Sequence, residues 1–162
     1  MQFNHSMWKL TIGLTIPVKG ETMNILLLTM PFHKPTIPSI GLTQIKGRLM
    51  ALFKEKIAVT LLYLNHDFFN YFGEDMYLAI ADSFTYNGLN DWLFRKEAFA
   101  GVTDNQTAYL QQFFPTLLDD QKTYIQQKVE GLGMFIDRLI TEYDILSYDL
   151  VGVNANFSVD LK

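Results

Sequence analysis

Apolar positions follow two different periods along this chain. The run Asn24-Ile25-Leu26-Leu27-Leu28-Thr29-Met30 is almost unbroken and is closed by Pro31. A short apolar run bounded by proline predicts a strand covered on both faces, as central parallel strands are. Pro35, Pro38 and Gly41 then mark a loop, with Ser39 placed as a helix N-cap. Leu42, Ile45, Leu49, Leu52 and Phe53 recur at helical spacing over 40–56. Ala58-Val59-Thr60-Leu61-Leu62-Tyr63-Leu64 predicts a second strand. Strand, helix and strand in tight succession make a right-handed βαβ unit over 23–64.

The period changes over 65–147. Phe68, Phe72, Met76 and Ile80 stand four apart, followed by the aromatic cluster Trp92, Phe94 and Phe99. Ile125, Val129, Leu132, Ile136, Leu139 and Tyr143 form a longer stripe, with a helix start expected near Pro115. The pattern predicts three or four helices whose stripes are core. Asp149-Leu150-Val151-Gly152-Val153-Asn154 then predicts a third strand.

The fold class expected is α/β and Rossmann-like, with the flavodoxin-like strand order 2-1-3. It comprises a parallel, three-stranded partial sheet with a large helical insertion between strands two and three. A crossover needs only about a dozen residues including its helix, so the excess reads as an inserted helical subdomain. The segment 148–162 reads as the third strand and the start of a missing remainder, a C-terminally truncated chain. Segment 1–22 has two readings. It is a translated leader before a natural start at Met23, with Lys19-Gly20-Glu21 encodable by a ribosome-binding purine run. Alternatively it holds an extra strand over 10–17, with Leu10, Ile12, Leu14 and Ile16 alternating.

Composition narrows the function. Hydrophobic residues make up 49% and charged residues 19%, which supports a folded core. The net charge of −4 offers no basic stripe for phosphates, so nucleic acid is not an expected partner. No apolar run reaches the ~20 residues of a membrane span, and no cleavage site follows the N-terminal residues, so a cytoplasmic location is expected. The absence of cysteine excludes disulfides, thiolate nucleophiles and a cysteine-held cluster within this chain.

In an open α/β sheet, ligands bind beyond the carboxyl ends of the strands where connections diverge. With order 2-1-3 that crevice lies between strands one and three, walled by loop 29–41 and loop 154–158. Prolines stiffen the first loop, and a helix N-terminus there favours anionic groups. There is no GxGxxG, P-loop or HExxH. Glu74-Asp75 reads as solvated surface. His33, His66 and Asp67 share an edge without metal-ligand spacing, so neither a metal site nor a catalytic residue is expected.

Several elements in order resemble the N-terminal region of RiPP maturation radical SAM proteins, a branch of the B12-binding-domain radical SAM group. They are segment 24–32, Pro38-Ser39-Ile40-Gly41-Leu42, Leu62-Tyr63-Leu64-Asn65 with Asp67-Phe68, Asn90-Asp91-Trp92-Leu93-Phe94, and Tyr148-Asp149-Leu150-Val151-Gly152. The resemblance implies a cobalamin-binding-like domain ahead of a radical SAM barrel that modifies ribosomally made peptides. The [4Fe–4S] cluster and S-adenosylmethionine would belong to that missing C-terminal part, leaving this chain non-catalytic alone. The D-x-H-x-x-G cobalamin motif is absent, although His33 lies in the corresponding loop. By analogy, cofactor contacts fall on Met30, Pro31, Phe32, Ser39, Gly41, Leu42, Asn154 and Asn156. The alternative is a module in which the helices recognise a precursor peptide or partner and the sheet is scaffold without a cofactor.

Overall fold

The computed structural model describes residues 22–99, 101 and 105–154. Segment 1–21 and Asn156 lie outside the described residues, and with them both readings of the N-terminus apart from Thr22.

β1 (Met23–Thr29) is the central strand. It pairs in parallel with β2 (Ile57–Tyr63), from Met23 opposite Ile57 to Thr29 opposite Tyr63. On its other side it pairs in parallel with β3 (Leu150–Asn154), from Ile25 opposite Leu150 to Thr29 opposite Asn154. The order is therefore β2-β1-β3, as the sequence predicts. Flanked on both sides, β1 buries Ile25, Leu26, Leu27 and Leu28 on alternating faces, which explains why its sequence is a run rather than an alternation. The start of β3 is fixed by Asp149, whose backbone N–H donates to the Asn24 carbonyl and whose carboxylate accepts from the Asn24 N–H at 2.7 Å.

The helix of the βαβ unit is α1 (Ile40–Phe53), followed by a single 3₁₀ turn over Lys54–Lys56. Ser39 is its N-cap, its Oγ accepting from the Leu42 N–H at 3.3 Å. Leu42 packs with Ile25, Leu27 and Val59 into a small cluster between helix and sheet. Gly152 lies opposite Leu27, where a Cβ would stand 2.7 Å from Leu27 Cδ2, so any larger residue there needs the buried Leu27 side chain to shift. The outer surfaces of this layer stay apolar and exposed, at Ile40, Ile45 and Leu52 on α1 and at Leu150, Val151 and Val153 on β3.

Helices form the second layer. α2 (Leu64–Phe72) follows Tyr63 without a loop, and then come α3 (Glu74–Asp82), α4 (Leu89–Leu93) and α5 (Arg95–Ala98). α6 (Gln106–Phe113) and the 24-residue α7 (Asp119–Glu142) complete the described insert. These six segments replace the three or four expected, because short turns interrupt the helical spacing. The row Phe68, Phe72, Met76, Ile80 crosses one such break at Gly73, whose φ of 76° ends α2 and opens α3. The long helix begins at Asp119 rather than near Pro115, which sits in the preceding turn. There the Leu118 N–H donates to Gln121 Oε1, and Asp119 and Asp120 face the positive end of the helix dipole.

From α7, Ile125, Val129, Leu132, Phe135 and Leu139 are buried, with Ile136 and Tyr143 packed at the margin. They meet Phe68, Phe72, Tyr77, Ile80, Leu89, Trp92 and Leu93 in one core. Edge-on rings fix much of this packing, such as Phe68 against Phe135 at 5.0 Å and 89°. Tyr71 and α7 are tied twice: Tyr71 Oη donates to the Lys128 carbonyl, and Lys128 Nζ donates to the Tyr71 carbonyl. Among the described residues, no helix is long and apolar enough to cross a membrane.

Candidate functional site

The carboxyl ends of β1 and β3, where the sequence places the crevice, lie side by side as a shelf, and residues 155–158 of its expected second wall lie outside the described residues. The Met30 N–H donates to the Asn154 carbonyl at 3.4 Å, extending the ladder one step past β1. Asn154 Nδ2 donates to Ser39 Oγ at 3.3 Å, so the end of β3 is joined to the cap of α1. Ser39 thus joins α1 to the end of β3: its hydroxyl caps α1, its carbonyl accepts from the Thr43 N–H and hydroxyl, and its hydroxyl receives Asn154. Beneath the shelf, Thr29 Oγ1 donates to Asn65 Oδ1 at 3.0 Å, and both residues are buried. This bond closes the carboxyl end of β1 onto the start of α2. The sequence reading did not assign Thr29 and Asn65; the available signal was a polar residue ending each apolar run.

The predicted contact residues divide by position. Met30, Ser39, Gly41 and Asn154 lie along the shelf, with Met30 39% exposed and Gly41 open. A Cβ at Gly41 would meet nothing nearer than Ser39 Oγ at 3.9 Å, so the chain itself leaves that position clear. Pro31 is half-buried at the turn. Leu42 points into the sheet–helix cluster and is only 4% exposed. Phe32 packs against the insert, its ring 5.5 Å from Tyr77, 5.8 Å from Phe72, 6.2 Å from Phe94 and 6.4 Å from Phe68. The structure therefore gathers Met30, Ser39, Gly41 and Asn154, and turns Leu42 and Phe32 into two different cores.

Phe32 has a φ of 69°, an uncommon backbone state for a bulky residue that costs on the order of 1–3 kcal/mol. The next residue is held as well: Tyr77 Oη donates to the His33 carbonyl at 2.7 Å. Burial pushes the Tyr77 phenol up to about 12, so it remains a donor at neutral pH. Lys34 pairs with Asp82 of α3 at 3.4 Å. His33 Nε2 is buried without a hydrogen-bond partner.

The other candidates do not converge. Asp67 accepts from Tyr143 Oη at 2.9 Å, and His66 lies edge-on to Tyr63. Among the described residues, no three His, Cys, Asp or Glu side chains come together to hold a metal ion. Glu74 and Asp75 are exposed at the start of α3, where carboxylates suit the helix dipole. They line an open cavity of about 500 Å³ with Phe72, Met76, Asp120 and Tyr124, away from the shelf residues. Trp92 is 7% exposed; it stacks on Tyr109 at 4.6 Å and lies under the Arg95 guanidinium at 3.6 Å. No protein-family model, curated protein or solved structure matches this chain.

Proposed function

We propose that this chain is a cofactor-binding domain of the cobalamin type, without catalytic chemistry of its own, from an enzyme that modifies ribosomally made peptides by radical SAM chemistry. The observation that carries the binding part is the Asn154–Ser39 hydrogen bond across the carboxyl ends of a 2-1-3 parallel sheet. That is where connections diverge and where open α/β sheets receive ligands. The corrinoid and radical SAM parts rest on the resemblance in sequence.

The shelf suits a broad, partly apolar group. Met30, Ile37, Ile40 and Val153 present exposed apolar side chains near it, and Ser39 and Asn154 supply hydroxyl and amide groups for polar substituents. His33, with its buried and unpartnered Nε2, is the one imidazole in the loop beside it. A bound corrinoid would contribute the cobalt chemistry. The chain's own residues would bind the ring and orient it against the strand ends.

Exposed aromatics around Trp92 would favour the alternative, a peptide-recognition module, since interfaces are enriched in them. That ring is covered by Tyr109 and Arg95, while Tyr86 and Phe99, on either side of it in sequence, are exposed. Titration with aquacobalamin, followed by absorbance, tests the proposal. A saturable spectral change weakened at least tenfold by Asn154→Ala is expected; a folded protein that leaves the spectrum unchanged rejects cofactor binding.

A further inference from the structure

We infer that the β1–α1 loop is latched to the helical layer through Phe32, so that the helices control the shape of the crevice edge. Three contacts tie this one short loop to the insert: the Phe32 ring among Phe68, Phe72, Tyr77 and Phe94, the Tyr77 hydroxyl on the His33 carbonyl, and Lys34 on Asp82. The partners come from α2, α3 and the turn after α4, which are far from the loop in sequence. Against them stands the unfavourable φ of Phe32, which relaxes if the ring leaves its seat. Opposed terms of this kind make a discrete seated or unseated element rather than a continuously deformable one.

The shelf feels the latch directly. Met30 and Ser39, at the two ends of the loop, both bond to Asn154. Unseating Phe32 frees the chain between those two anchors. A partner that repacks α3 or α4 therefore changes access at the crevice, and a ligand that orders the loop in turn stabilises the helical layer, since coupling is reciprocal. This inference stands whether or not the crevice holds a corrinoid.

Chymotrypsin cleavage after Phe32 reads the seat, because the bond is accessible only when the ring is out. Tyr77→Phe keeps the buried ring and removes the hydroxyl, and Phe94→Leu loosens the far wall of the seat. Each is expected to raise cleavage after Phe32 by roughly fivefold, the scale of one lost hydrogen bond or edge contact. Cleavage after Phe113, which is exposed and outside the latch, should stay within twofold. Unchanged cleavage after Phe32 in both variants overturns the latch. A rise at Phe32 matched by an equal rise at Phe113 also overturns it, since that reports global opening.

Discussion

In the helical layer, fourteen apolar side chains of the described residues are buried in one cluster, whereas four are buried between α1 and the sheet. The sheet layer also leaves Ile40, Ile45, Leu52, Leu150 and Val153 at 40% exposure or more. Burial of apolar surface is the main favourable term in folding, so among the described residues the insert carries most of the stabilising burial. The candidate site sits on the weaker layer, tied to the stronger one at Thr29–Asn65 and at Phe32. Loops and strand ends that receive ligands are commonly drawn from the less stable part of a fold.

The comparison breaks first in the insert. Leu132→Ala, at a position with no exposed surface in the middle of α7, should cost about 2–5 kcal/mol by denaturant unfolding. Gly152→Ala presses a methyl group against Leu27 and should cost about 1–3 kcal/mol, with β3 amides losing exchange protection first. Asn65→Ala leaves the buried Thr29 hydroxyl without its acceptor and should cost about 1–3 kcal/mol.

Alkali should act on the insert next. Burial pushes both Tyr77 and Tyr109 up to about 12, above the usual phenol value of about 10. The unfolded chain therefore loses these protons first. Stability is fully present below pH 10 and is lost as pH rises through about 12. Urea unfolding at pH 8 and pH 11 should show this fall, and Tyr77→Phe should make it shallower. The smallest effect belongs to the open face of α1: Ile45→Lys should change stability by about 0.5 kcal/mol or less. A loss of several kcal/mol there would mean that the face is covered in solution, and that the sheet layer is not the weaker one.

The sheet was legible because its signals are local and strong. An unbroken apolar run between Asn24 and Pro31 admits a central strand, Ser39 caps where a cap was expected, and the strand order 2-1-3 follows from parallel pairing on both sides of β1. The insert was legible only as helical. Spacing four survives the break at Gly73, because φ is invisible in a hydrophobic pattern, and Pro115 marks a turn as readily as a helix start. At the site, Ser39 and Asn154 could be placed on one edge from topology alone. The inward turn of Phe32 could not, because a positive φ at a phenylalanine is imposed by tertiary partners 36 or more residues away. Thr29 and Asn65 were hidden for a similar reason: a polar residue ending a strand looks the same whether it meets water or a buried partner.

Mapping backbone amide shifts on addition of aquacobalamin tests the central claim most directly. The account predicts perturbations confined to Met30, Ser39, Gly41 and the end of β3, with smaller ones at α3 through the Phe32 seat. Perturbations centred instead on Glu74, Asp75 and Asp120 around the acidic cavity, or none anywhere, would contradict it.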